Sequence, residues 1–265
     1  MSTEKRIGAT IVRKTGNYAV ISLDRPGKMN ALNPDLFDGI LRAVREIRTD
    51  DEIRSVILTG SGDHFSAGGD VQEDIVPLKD KSLEEFKAYF KSINELYVEL
   101  YELKKTTIAA INGYALGAGF DLTLCCDIRI AADNSKMGEY FVRMGLVPET
   151  GTYLLPKIIG YSQAKMICLT GKTIESDEAL KIGLVDQVVP SGDLLTTAEK
   201  LARQLSQGPA SVSLINEAIN TLGQMPLKEA IEHAVMYQFT ASRTLDHKEA
   251  VEAFLEKRKP VFKGK

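Results

Sequence analysis

Two β-branched runs, Tyr18–Leu23 (YAVISL) and Ser55–Thr59 (SVILT), bracket an amphipathic stretch at Pro34–Arg48. This order constrains the fold more than any other feature, because branched side chains favour extended backbone and the intervening period is helical. Asn33 stands where a helix N-cap is wanted. The unit reads as βαβ, which commits the chain to a parallel or mixed sheet. A polar segment at 60–69 follows, then a long helical pattern from Leu83 to Leu103. Between Thr106 and Ala132 come a third strand, a glycine-rich turn, a short helix and a fourth strand (DIRIAA). Beyond Gly160 helical patterns dominate, at 162–170, 176–182, 194–207, 210–222 and 226–256, with one β-like piece at 184–189. No low-complexity linker divides the 265 residues. The reading is one α/β core, residues 1–200, carrying a helical C-terminal region, residues 201–265, as part of the same fold.

Composition then narrows the chemistry. Three Cys and three His occur without CxxC or HxxxH spacing, so the expectation is no metal site and no disulfide framework. With 33 basic against 36 acidic side chains and a net charge of -3, the chain has no electrostatic case for nucleic acid. The opening MSTEKRIGAT has no apolar stretch, and no run approaches 18 apolar residues. Neither a membrane partner nor a leader is expected, and a cytoplasmic location is. Carboxylates, hydroxyls and backbone amides remain as working groups.

Two loops lie where parallel strands end, which is where open α/β sheets place ligands. One is Phe65-Ser66-Ala67-Gly68-Gly69-Asp70; the other runs from Asn112 through Gly117-Ala118-Gly119 to Asp121. Small residues let backbone approach a ligand, and amides at a helix start carry partial positive charge. Either loop alone also reads as a plain tight turn. A dinucleotide fingerprint is weaker still, since Gly117 and Gly119 are followed by Leu122 and no acidic residue stands at the required distance.

Taken in order, SLDRPGKMNALN at 22–33, FSAGGDV at 65–71, AAINGYALGAGFDLTLCCDIRIAADNSKMG at 109–138, GLVPETG at 145–151 and LTGKTIESDEALKIGLVDQVVP at 169–190 resemble the crotonase superfamily, the enoyl-CoA hydratase/isomerase family. The resemblance covers about residues 8–263. It implies a crotonase-like α/β spiral of ββα turns with a C-terminal helical oligomerisation region, and a homotrimer or dimer of trimers. It also implies an acyl-CoA thioester as substrate, with no cofactor beyond the CoA that the substrate carries. The shared device of the family is an oxyanion hole of two backbone amides, which map here to Ala67 and Ala118. The second of these is usually a glycine; an alanine keeps the N–H if its φ is negative.

By the same resemblance, Asp121 occupies the place of one hydratase glutamate, as in dienoyl-CoA isomerases. The second hydratase glutamate is replaced by Phe141, while a carboxylate appears at Glu149, where several isomerases of the superfamily move their proton. Asp121 and Glu149 are therefore the expected catalytic pair. Glu139 is the reserve, on the argument that a strand would put it on the same face as Phe141; an exposed or capping position is its plainer reading. Expected CoA or substrate contacts are Lys28, Asn30, Ala31, Ser66, Gly69, Asp70, Gly117 and Phe141, with Phe262 and Lys263 of the basic tail. Asp127 and Arg129 read as a structural ion pair. The expected activity is a double-bond shift in an enoyl-CoA or dienoyl-CoA. Alternatives are water addition by a hydratase, a dehalogenase or thioesterase with Glu149 as nucleophile, and a non-catalytic CoA- or RNA-binding role.

Overall fold

The computed structural model describes residues 2–265. Its elements run β1 (Ser2–Ile7), β2 (Thr10–Thr15), β3 (Tyr18–Leu23), α1 (Pro34–Arg48), β4 (Ser55–Gly60), α2 (Leu83–Tyr101), β5 (Thr106–Ile111), β6 (Tyr114–Leu116), α3 (Ala118–Leu124), β7 (Ile128–Ala132) and β8 (Lys136–Gly138). They continue with α4 (Gly151–Thr170), β9 (Ile174–Glu175), α5 (Ser176–Lys181), β10 (Gln187–Val189), α6 (Leu194–Ser206), α7 (Ser211–Leu222), α8 (Leu227–Ser242) and α9 (Leu245–Leu255). Asn33 caps α1 through its side chain, which accepts from the Leu36 amide at 3.0 Å.

The main sheet has the order β1-β2-β3-β4-β5-β7-β10, and β6-β8-β9 form a second, smaller sheet. From β3 onward the main sheet is parallel. Its strands are apolar on both faces because both are covered. Ile21, Leu23, Val56, Leu58, Ala109 and Ile111 join the larger core, while Val20, Ile57, Ile108 and Ile130 pack with Leu194, Ala198 and Ala202 of α6 on the opposite face. Residue 200, the expected limit of the core, thus falls inside a helix that is part of the sheet's packing. None of the described helices is long and apolar enough to cross a membrane.

Three elements differ from the periodicity reading. The hairpin β1–β2 is additional: β1 (STEKRI) is exposed except at Ile7 and shows no apolar alternation to announce it. The first turn of α4 begins at Gly151, and the backbone breaks at Gly160 (φ 77°, ψ 159°), so the pattern visible after 160 is only the second half. The stretch 226–256 is two helices, with Thr244 capping α9 by accepting from the His247 amide at 3.0 Å.

The parallel strands β4 and β5 deliver the two glycine loops side by side. Phe65 N–H donates to Asn112 O at 2.6 Å, Ser66 N–H to Tyr114 O at 2.8 Å, and Leu116 N–H to Ser66 O at 3.0 Å, so the loops continue the pairing of the strands. Their approach requires glycine: a Cβ on Gly119 would sit 2.5 Å from Ser66 Cβ, and one on Gly68 would sit 2.8 Å from Leu116 O.

Candidate active site

The first loop is held from beneath by Asn30. This fully buried amide donates to Ser61 O at 2.9 Å and His64 O at 2.6 Å, and its own carbonyl oxygen accepts from Arg25 N–H at 2.8 Å. Ser66, also fully buried, donates to Asn30 O at 2.8 Å and accepts from Gly68 N–H at 3.1 Å. Asp70 accepts from the amides of Gln72 and Glu73 and pairs with Arg25 at 3.1 Å. Asn30, Ser66 and Asp70, expected as CoA contacts, are therefore committed to building the loop, and their side chains have no free group to offer a ligand. Lys28 is exposed and Ala31 half-buried on the same turn.

One expectation is overturned here. The Ala67 N–H donates to Met29 O at 2.9 Å, so it cannot hold an oxyanion. Gly68 N–H is taken by Ser66, and the amide of the loop with no acceptor among the described residues is that of Gly69. In the second loop Gly117 adopts φ 50°, ψ −127°, a conformation open to glycine alone. That turn starts α3 at Ala118, whose φ is not among the positive ones and whose N–H has no partner among the described residues. Gly68 and Gly117 touch: a Cβ on Gly68 would lie 3.8 Å from Gly117 Cα. Two unpaired amides, Gly69 and Ala118, therefore flank one point of closest approach between the loops.

That point opens on a cavity of about 250 Å³ lined by both loops, by apolar side chains including Phe37, Ile75, Phe90, Ile93 and Phe141, and by four side chains with acidic or phenolic groups, Asp74, Tyr97, Tyr140 and Glu149. A wider, more open cavity of about 1000 Å³ shares Leu78, Phe90, Leu146 and Glu149 with it. Glu149 thus stands on the wall common to both.

Behind Glu149 lies Asp121, fully buried on the first turn of α3. Its Oδ1 accepts from Gly151 N–H at 2.7 Å and its Oδ2 from Thr150 N–H at 3.2 Å. Asp121 thus reaches across to the start of α4 and fixes the segment that carries Glu149. Burial pushes the Asp121 carboxyl up, and its hydrogen bonds pull it back. Burial first, and then the Asp121 charge, push Glu149 up to about 8, with Asp74 adding a smaller part. Glu149 Oε2 is buried and has no partner.

Glu139 corrects a second expectation. It is 0% exposed and makes no cap hydrogen bond. Residues 140–144 form a 3-10 turn, so strand alternation does not govern the pair 139 and 141. Phe141 lines the cavity, whereas Glu139 points beneath it toward Asp121. Two further residues escaped the sequence reading. The Tyr97 hydroxyl, on an apolar face of α2 shared with Ile93, Leu96 and Leu100, is buried without a partner; its periodicity reads only as core. Asp74 accepts from the Tyr89 hydroxyl, and its Oδ2 occupies the space where a side chain at 69 would go, 2.5 Å from a Cβ built on Gly69.

The tail and the CDIR motif also differ from expectation. Asp246 gathers the amides of Lys263, Gly264 and Lys265 at 2.7–3.2 Å, and Gly264 packs on Arg54. Arg54 precedes β4, whereas the site loops follow it, so Phe262 and Lys263 lie at the end of the sheet away from this chain's cavity. Asp127 accepts from Thr107 N–H and Oγ at 2.7 and 2.8 Å, while Arg129 donates to the carbonyls of Leu184 and Cys126. They do not pair with each other.

A twisted parallel sheet whose strand ends present two free amides, an apolar cavity and buried carboxylates defines the class of acyl-CoA enzymes built on the crotonase fold. The chain belongs to the enoyl-CoA hydratase/isomerase family, whose profile matches residues 13–265. It is 37% identical over 252 residues to the short-chain-enoyl-CoA hydratase of Clostridium acetobutylicum, covering 94% of this chain and 95% of that one. To the 1,2-epoxyphenylacetyl-CoA isomerase of Escherichia coli it is 36% identical over 251 residues, covering 92% and 94%. The crystal structure of an enoyl-CoA hydratase from Bacillus anthracis superimposes with a TM-score of 0.91 at 32% identity, covering 97% of this chain and 100% of that one.

Proposed function

We propose that the protein shifts a double bond in an enoyl-CoA or dienoyl-CoA, with Glu149 carrying the proton. The thioester oxygen is received by the amides of Gly69 and Ala118. Glu149, as carboxylate, removes a proton from the acyl chain; the electron pair moves into the thioester, and the oxyanion is stabilised by both donors, each worth roughly 3 kcal/mol of the barrier. The proton on Glu149 then returns to another carbon of the same chain, so that the double bond moves and the formula does not change. Burial makes this exchange workable, because a carboxyl raised toward neutrality gives and takes a proton with similar ease. Asp121 stays behind as the fixed anion that raises Glu149 and positions its segment.

The observation that carries this reading is the position of Glu149 between the two cavities with one oxygen free, and Phe141 lining the smaller one at the place where the family resemblance implies a second hydratase glutamate. Water addition is the second reading, supported by the unpartnered Tyr97 hydroxyl on the same cavity, which with Glu149 Oε2 offers two polar partners for a water. Incubation with 2-enoyl-, 3-enoyl- and dienoyl-CoA thioesters in deuterated water separates them by mass. Deuterium gain without hydration supports the isomerase; added water supports the hydratase; neither on any substrate removes both.

CoA binding rests on the exposed Lys28 and on backbone around Ala31 and Gly69. Phe262 and Lys263 serve CoA only from a neighbouring copy, consistent with a cytoplasmic homotrimer or dimer of trimers. Exposed apolar residues on the outer helices, Ile219, Ile231, Val235 and Phe239, support such an assembly.

A further inference from the structure

We propose that Glu139 is a permanently protonated carboxylic acid that donates its proton in a hydrogen bond to Asp121, making it a positioning residue for the catalytic carboxylates. Glu139 is 0% exposed, and neither Oε1 nor Oε2 has a hydrogen-bond partner. No ion pair of the described residues involves it. An ionised carboxylate that meets no protein donor or cation is costly to bury, so the group keeps its proton. The groups facing it agree: Asp121 from α3, Glu149 from the segment before α4, Tyr97 from α2 and Cys168 from α4 supply no positive charge.

The acceptor for that proton is set by geometry. Gly151 begins α4 without a side chain, and a Cβ there would collide with Glu139 Oε1 while lying 3.2 Å from Asp121 Oδ1. The two carboxyls therefore meet over Gly151. Asp121 already accepts from two amides, which favours its anion; Glu139 accepts from nothing, which favours its acid. One proton shared by the pair belongs on Glu139 and points at Asp121. Asp121 is then a carboxylate turned to three donors behind the cavity wall, and Glu149, which lines the cavity, is left as the only mobile proton carrier of the three. That last step rests on the proposed reaction; the protonation of Glu139 does not.

Infrared difference spectra in H₂O and D₂O test the protonation without substrate. At about pH 10, where Glu149, raised to about 8, is ionised, the wild type should show a carboxylic-acid C=O band that is lost in Glu139→Gln and kept in Glu149→Gln. Absence of the band, or its survival in Glu139→Gln, overturns the proposal. Kinetics with a turned-over acyl-CoA test the positioning role. Glu139→Gln still donates to Asp121 and should rescue turnover to within about threefold of wild type, whereas Glu139→Leu, which cannot donate and leaves the Asp121 charge less compensated beside Glu149, should fall more than tenfold and move the acid limb of kcat/KM to higher pH. A loss of about 10² or more in Glu139→Gln would make Glu139 an acid–base catalyst instead and overturn the proposal.

Discussion

Asp121 and the 139–149 segment present the same functional group under opposite conditions. The Asp121 carboxyl meets two backbone amides at the start of α4, whereas both oxygens of Glu139 and one of Glu149 are buried without any donor. The contrast follows from local structure. Asp121 sits on a helix aimed at the open N-terminal turn of another helix, where unpaired N–H groups gather. Glu139 and Glu149 flank a 3-10 turn whose amides point elsewhere. A carboxylate given donors becomes a fixed charge; a carboxyl denied them holds its proton, and the one at the cavity wall can exchange it.

Breaking the fixed-charge side gives the largest expected effect after loss of Glu149 itself. Asp121→Asn presents one acceptor where two amides need partners, so one N–H is stranded. Turnover should drop by about 10² through displacement of Glu149, and stability by about 1–3 kcal/mol, read from steady-state kinetics and urea unfolding. Gly117→Ala forces a side chain into φ 50°, ψ −127° and tilts the Ala118 amide. A fall in kcat of about tenfold or more with little change in KM is expected.

The proton-holding side predicts pH effects. Glu149 must be ionised to accept a proton, and its carboxyl is raised to about 8, so kcat/KM should climb with pH along an acid limb near that value. For stability the sign is opposite. A carboxyl raised in the fold above its ordinary value of about 4.3 contributes stability below that value and loses it as pH rises toward 8. Glu149→Gln should therefore gain on wild type between about pH 5 and pH 8 by on the order of 2 kcal/mol in thermal or urea unfolding; a constant difference across that range would refute the burial argument. The smallest effect is remote from both regions: Thr244→Ala removes the cap of α9 and should cost about 1 kcal/mol with turnover unchanged.

Much of the frame was legible because parallel strands buried on both faces are strongly apolar, as at Val56, Ile57 and Leu58. The exposed hairpin strand at residues 2–7 gave no such signal. At the site, motif order pointed to both loops and to Asp121 and Glu149, which the structure brings together. The specific donor escaped, because the choice between the amides of Ala67 and Gly69 depends on where Met29 O lies, a contact 38 residues apart in sequence. Glu139 is legible only as a reserve, its burial being set by the 3-10 turn that follows it and not by strand alternation, and Asp74 escaped because nothing in a run of acidic residues says which one turns inward.

The account stands most directly on Glu149, and hydrogen exchange isolates it. Wild type and Glu149→Gln, both saturated with an enoyl-CoA that the wild type isomerises, are compared for deuterium incorporation in D₂O. The predicted result is a loss of about 10²–10⁴ in exchange with acyl-CoA binding retained. Exchange at the wild-type rate in Glu149→Gln would show that another group moves the proton.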